Sequence, residues 1–177
     1  IWLEDILDEA VKRASEINEQ GADLVAIGAI KFNDLKRESS QDIVFNWDEV
    51  MNLKGDSGPY VQYAAVRASA VLKKGEELAL EPSATRPAEE ALSNVERLIP
   101  RFPEVARRAA QELAPHHVAG YLIELAGAFN NYYAHTSIAE KGNEASSYRL
   151  ALTKAVSVVL VNGLLLFPKQ LFHIDQL

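Results

Sequence analysis

Two tyrosines and two cations stand close together in "PYVQYAAVRASAVLKK", residues 59–74: Tyr60, Tyr63, Arg67 and Lys74. Those residue types can grip single-stranded nucleic acid, because unstacked bases lie on aromatic rings while basic groups meet phosphates. Wound at about 100° per residue, Val61, Ala65, Ala68 and Leu72 form one apolar stripe, enough to dock a helix on its neighbours. The tyrosines and cations fall on a second stripe centred roughly 130° away, a face that docking does not require. The same tyrosines could instead plug a second helix–helix contact, with their hydroxyls reaching water. The pattern alone leaves both readings open.

Elsewhere the chemistry is sparse. There is no Gly-rich phosphate loop, no His-Glu-x-x-His pair and no Gly-x-Ser-x-Gly elbow. Cysteine is absent, which removes thiol nucleophiles, thiolate metal sites and disulfides together. His116 and His117 are adjacent at a helix start, so they point about 100° apart and cannot readily share one metal; they read as capping or surface histidines. Asp5, Asp8 and Glu9 lie on the polar side of an amphipathic helix and read as a solvated face. No catalytic residue and no metal site are expected in this segment.

The elements that must position the tyrosine–arginine face follow from periodicity. The chain has 177 residues, 48% of them hydrophobic, and can bury a real core in one or two domains. A net charge of −7 argues against nucleic-acid binding by bulk electrostatics but allows a local basic stripe. "WLEDILDEAVKRASEI" predicts a helix whose stripe runs from Leu3 to Ile17. It starts so near residue 1 that the chain reads as cut from a larger protein, which would leave Trp2, Leu3, Ile27, Ile30 and Phe32 without former partners. "LVAIGAIKFNDL" predicts a buried helix, "DIVFNW" a strand, and the turn-rich "LKGDSGPY" a domain boundary near residue 57. After it everything reads as helix: 59–74, then 88–99 with Leu92, Val95 and Ile99 inward, then 104–114, 116–135 and 148–167. Pro100 and Pro103 are expected to break the chain, and the last helix, apolar around most of its circumference, to lie at the centre of a bundle. No apolar run approaches the roughly 20 residues of a membrane span, and the first residues are not signal-like. The expectation is a cytoplasmic protein without an anchor.

"GAIKFNDLKRESSQDIVFNWDEVMNLKGDSGPYVQYAAVR", residues 28–67, resembles the stretch that joins the catalytic core to the C-terminal anticodon-binding domain in arginyl-tRNA synthetases. The family's Gly-Ala-Ile-Lys-aromatic opening stands here as "GAIKF". Its acidic Phe-Asp-Trp-Asp segment stands as "FNWD", with Asn46 in place of the usual aspartate, and its Pro-Tyr-x-Gln-Tyr-Ala-x-x-Arg helix start stands as "PYVQYAAVR". "LAPHHVAGYLIELAGAFNNYYAH" and "YRLALTKAVSVVLVNGLLL" are similar to its later helices, and "LEDILDEA" to the helix after its KMSKS-type signature. The likeness runs in the family's order through about residue 166. The tail "LLLFPKQLFHIDQL" departs from the usual Leu-Leu-Gly-Ile ending.

The resemblance implies a mainly α fold: an all-α anticodon-binding bundle over residues 58–177, preceded by a short mixed α/β remnant of the catalytic core over 1–57. It implies that Tyr60, Tyr63 and Tyr133 face the anticodon loop of arginine tRNA, with Arg67, and Lys74 from the same stripe, as phosphate or structural partners. It also implies a monomeric parent enzyme whose upstream part attaches arginine using ATP and magnesium, leaving this segment inactive alone and without a cofactor of its own. The alternatives are a helical protein-interaction module derived from a synthetase, or the related domain of another class I synthetase.

Overall fold

The computed structural model describes residues 2–42 and 44–167. Its elements, in order, are α1 (Leu3–Ile17), α2 (Ala22–Leu35), the short α3 (Trp47–Val50), α4 (Gly58–Glu77) and α5 (Asn94–Leu98). A 3-10 turn (Ile99–Arg101) leads into α6 (Phe102–Glu112), followed by α7 (His116–His135) and α8 (Ser146–Leu165). Among the described residues there is no strand.

Two apolar cores organise these elements. The smaller lies between α1, α2 and α3 and buries Ala10, Ala14, Ala26, Ala29, Ile30 and Val50. The larger is the core of the bundle made by α4 to α8, where Val61, Leu122, Leu125, Phe129, Leu150 and Leu160 are fully enclosed. α2 belongs to both, because it is apolar on more than one side. Its Phe32 leaves the small core and enters the large one, 5.7 Å from the ring of Phe167. Gly58 makes that junction possible: a β-carbon there would lie 2.9 Å from Phe32 Cβ and 3.1 Å from the carbonyl of Gly28. Of the side chains expected to lose partners, Trp2 and Leu3 are exposed, whereas Ile30 and Phe32 are buried inside this arrangement.

α4 starts cleanly because Ser57 caps it, accepting from the Tyr60 N–H at 3.1 Å, and because Pro59 occupies the first turn, where no intrahelical donor is needed. Its expected docking stripe holds: Val61, Ala65 and Ala68 are buried and Leu72 is partly so. α7 buries Val118, Leu122, Leu125 and Phe129 along one face. α8 lies against α4 and α7, tightly at Gly163, where a β-carbon would meet Leu122 Cδ2 at 2.5 Å.

Four expectations need correction. Residues 44–46 of the expected strand are not extended into a sheet, and Ile43 lies outside the described residues. Val44 is exposed, Phe45 packs edge-on against Trp47 at 4.8 Å, and Asn46 caps α3 by accepting from the Asp48 N–H. With no second strand beside it, a short alternating run has no ladder to join, so the expected α/β remnant is helical throughout its described part.

The helix expected at 88–99 is only Asn94–Leu98, and Leu92 is 51% exposed rather than inward. Ser93 and Glu96 form a capping box that starts the helix there. Pro100 and Pro103 do not break the chain: each occupies a first turn, of the 3-10 turn and of α6, so the backbone runs nearly continuously. Finally, α8 is long and apolar enough by length and composition to cross a membrane, with a mean hydropathy of 1.4. Its apolar faces line the bundle here, burying Leu150, Val156, Leu160 and Leu164, while Val158 and Leu165 stay exposed. The departing tail, residues 168–177, lies outside the described residues.

Candidate nucleic-acid interface

α4 and α7 pack against each other in the bundle core, and this sets aromatic residues of the two helices side by side. Tyr63 and Arg67 are one turn apart on α4, and Tyr133 stands near the end of α7. The three come together as a sandwich. The Arg67 guanidinium carbon lies 4.5 Å from the Tyr63 ring centre and 4.7 Å from that of Tyr133, within the range of cation–π attraction. Tyr63 and Tyr133 are 47% and 43% exposed, so each ring keeps surface open to a ligand.

The tilt of Arg67 is fixed by Asn130, whose Oδ1 accepts from Nη1 of the guanidinium. Asn130 was not singled out from the sequence. Its signal was there, since it stands three residues before Tyr133 in "FNNYY" and therefore faces the same way on a helix. Arg67 makes no ion pair with a carboxylate among the described residues. Its charge is oriented but not neutralised.

Lys74, exposed two turns further along α4, shares with Arg67 and Tyr133 the wall of an open groove of about 520 Å³, closed on the far side by Thr136 and Ile138. Tyr60 is not part of the sandwich. It is half-buried against the bundle core, with its hydroxyl beside Gly127 of α7, 3.6 Å from where a β-carbon would stand. The structure thus gathers Tyr63, Arg67, Tyr133 and Lys74 and turns Tyr60 inward.

A model of the DALR anticodon binding domain matches residues 61–168. The chain belongs to this family. The arginine--tRNA ligase of Ligilactobacillus salivarius is 39% identical over 174 residues, which cover 93% of this chain and 31% of that protein. The arginine--tRNA ligase of Thermococcus kodakarensis is 36% identical over 182 residues, covering 92% and 28%. The arginyl-tRNA synthetase of Thermus thermophilus has a similar structure, with a TM-score of 0.79 and 31% identity over 96% of this chain and 32% of that one. The Plasmodium falciparum arginyl-tRNA synthetase superposes with a TM-score of 0.73 at 23% identity, a likeness of fold alone, over 94% of this chain and 32% of that one. The chain spans about a third of the length of these relatives.

Within this DALR domain the matched region takes in Tyr63, Arg67, Lys74 and Tyr133. It also takes in a second polar centre of different character. Arg149 of α8 forks onto Glu90 through Nε at 2.9 Å and Nη2 at 2.7 Å, and its Nη1 donates to the Ser137 carbonyl. Tyr148 donates to Glu96, whose carboxyl is pulled up by burial but held below the usual carboxylate range by the bonds from Tyr148 and Ser93. This centre pins the 81–93 loop to α8. His116 and His117 lean on each other with ring centres 4.2 Å apart and planes tilted by 49°, and His117 bonds to Glu112 at 2.7 Å, tying α7 to the end of α6. No group of three or more acidic or histidine side chains among the described residues is placed to hold a metal ion.

Proposed function

We propose that this DALR domain binds the anticodon region of arginine tRNA, with unstacked loop bases on Tyr63 and Tyr133 and a phosphate on Arg67. The observation that carries the reading is the Arg67 sandwich: a guanidinium oriented by two rings and an amide, uncompensated by any carboxylate among the described residues. A structural arginine is normally paired, as Arg149 is with Glu90. An oriented unpaired one beside open aromatic faces suits a phosphate flanked by bases. Lys74 extends the cationic edge along the groove, and Tyr60 supports the site from beneath rather than touching RNA.

Residues 1–57 are read as the end of a catalytic core and 58–177 as the binding domain of a cytoplasmic parent. There the remaining two thirds would join arginine to tRNA, as the names of the relatives suggest, and would use ATP and magnesium to do so. The side chains described here do not fit an ATP–magnesium site, so no step of that reaction is assigned to them. Binding of the chain to an arginine tRNA anticodon stem-loop, against a stem-loop of unrelated loop sequence, tests the reading. The arginine loop should bind more tightly, and Tyr63→Ala with Tyr133→Ala should erase the preference. Equal binding of both hairpins overturns it.

A further inference from the structure

Leu113 ends α6 in a conformation that suits it badly. Its φ is 52° and its ψ 41°, the left-handed region, where a β-carbon meets steric resistance and helices normally place glycine or asparagine. The turn itself is well closed, since the Ala114 N–H donates to the Ala109 carbonyl at 2.9 Å. Burial does not compensate the leucine: it is 88% exposed, more than any other large hydrophobic side chain among the described residues. It lines a groove of about 390 Å³ between α6, the start of α7 and the end of α8, with Ala106, Ala109, Ala110, Val118 and Leu166. Leu166 is open as well, 58% exposed. The small alanine side chains leave the space that larger ones would occupy.

We infer that residues 168–177, "PKQLFHIDQL", cover this groove and bury Leu113 by laying apolar side chains across it. Three observations point to this occupant. The groove lies where the segment starts: Phe167 lines it and is itself fixed, 3% exposed and 5.7 Å from the Phe32 ring. The segment carries Leu171, Phe172, Ile174 and Leu177, whose apolar surface needs a cover as much as the groove does. Reach is not limiting. Leu171 and Phe172 follow Phe167 by up to about 13–18 Å of extended chain, while α6 from Ala106 to Leu113 spans about 10 Å. Tethered at the groove, the segment has an effective concentration there in roughly the millimolar range, so a modest contact suffices where a separate partner would need a tight one. Leucine at position 113 then has a use: its backbone strain is offset by a contact that glycine or asparagine could not make. The inference is independent of the tRNA-binding reading, and the matched family region stops at residue 168.

The sign of one substitution tests it in the whole chain. Asparagine tolerates the left-handed region, so Leu113→Asn relieves the backbone and removes the apolar contact at once. With the segment in place, Leu113→Asn should lower the melting temperature of the natural chain. It should raise it in a chain carrying Leu171→Ser, Phe172→Ser and Ile174→Ser, where the contact is already gone. An equal change in both backgrounds, of either sign, overturns the proposal. Because the chain has no cysteine, introduced pairs report proximity directly. Leu113→Cys is combined in turn with Leu171→Cys, Phe172→Cys and Ile174→Cys. At least one pair should close to an intrachain disulfide tenfold faster than the same segment cysteine does with Leu92→Cys. Leu92 is 51% exposed but lies near the Glu90–Arg149 pair, at the other end of α8. Rates no faster than that control overturn the proposal. Disulfides between two copies would give the groove to a second chain. Lost stem-loop affinity in the triple serine variant, with no preference for Leu113→Cys, would assign the segment to RNA. Either result overturns the proposal.

Discussion

Arg67 and Arg149 are both half-hidden on long helices of the same bundle, yet their surroundings differ in one respect that decides their work. Arg149 is forked onto Glu90 with both side chains mostly buried, 17% and 14% exposed, and spends its remaining donor on the Ser137 carbonyl. Arg67 meets two aromatic faces and one neutral amide. The first arrangement cancels charge inside the fold, while the second holds charge at the surface in a chosen direction. A buried pair resists being half-removed far more than it rewards being present. An oriented, uncancelled cation gains most when an anion arrives.

The largest expected effect breaks the first of these arrangements. Arg149→Ala leaves Glu90 enclosed without a partner and frees the 81–93 loop, so urea unfolding should show a loss of about 3 kcal/mol. Anticodon stem-loop affinity, measured where the variant is still folded, should change by less than stability does, since Arg149 reaches the groove of Arg67 and Tyr133 only through its bond to the Ser137 carbonyl. Replacing both partners, Arg149→Met with Glu90→Gln, should recover much of the stability, because the penalty lies in the orphaned charge. Equal losses in the single and double variants would show that Arg149 acts by packing instead.

Tyr133→Ala and Tyr63→Ala should show the reverse pattern, each costing about 1–3 kcal/mol of RNA affinity. The expected stability loss is below about 1 kcal/mol, the worth of an exposed cation–π contact. Phenylalanine at either position should keep most of the affinity. Tyr60→Ala should differ from both: with its ring against α7 and the core, its cost should fall on folding. A Tyr60 variant that loses RNA affinity but no stability would contradict the inward placement.

That distinction among tyrosines shows where the sequence was and was not readable. Helical periodicity located α1, α2, α4, α6, α7 and α8 within a few residues, since each turns one apolar side toward a core. It placed Tyr60 and Tyr63 together because they are only about 60° apart on the wheel. Which of the two turns inward is set by packing against another helix: the Tyr60 hydroxyl lies beside Gly127 of α7. The early start expected for α5 failed for a similar reason. Residues 88–93 have helical composition, but Glu90 is committed to Arg149, 59 positions away, and a fork of that strength outweighs local propensity. The strand expected at 42–47 was an alternation with nothing to pair with. Gln62 was visible only as a motif letter, and its burial, at 4% exposure, is a matter of tertiary packing.

Arg67 itself should lose about 1–2 kcal/mol of RNA affinity on substitution by methionine, which keeps the stem but not the charge. The slope of log affinity against log salt should become shallower by about one, as expected for one phosphate contact. Arg67→Lys should rescue the salt slope better than the affinity, because an ammonium lacks the flat faces that lie against Tyr63 and Tyr133. A salt slope unchanged in Arg67→Met would make this arginine a brace for the two rings and leave Lys74 as the cation that meets phosphate.

The smallest effect sharpens the comparison from the structural side, at Tyr148 and Glu96. Tyr148→Phe removes one hydrogen bond to a carboxylate and should cost about 1 kcal/mol at neutral pH, without altering RNA binding. Its pH dependence is the more telling readout. Despite its burial, Glu96 has its carboxyl held below the ordinary 4.5 by bonds from Tyr148 and Ser93. Its contribution is therefore present above that pH and is lost as the pH falls through the lower folded value. Burial, reinforced by the bond to Glu96, pushes the Tyr148 hydroxyl from 10.0 up to about 12. The folded state thus favours the protonated phenol, and stability is kept below pH 10 and lost as the pH rises toward 12. Tyr148→Phe should flatten the urea stability profile at both ends. The alkaline slope should be reduced rather than abolished, because Tyr121, whose hydroxyl donates to the Leu98 carbonyl, is also raised by burial to about 12. Arg67→Met, with no carboxylate paired to it among the described residues, should leave the acid slope as it is. If instead the Arg67 variant changed the acid slope, a carboxylate would have to be coupled to it, and the contrast between the cancelled and the uncancelled arginine would not hold.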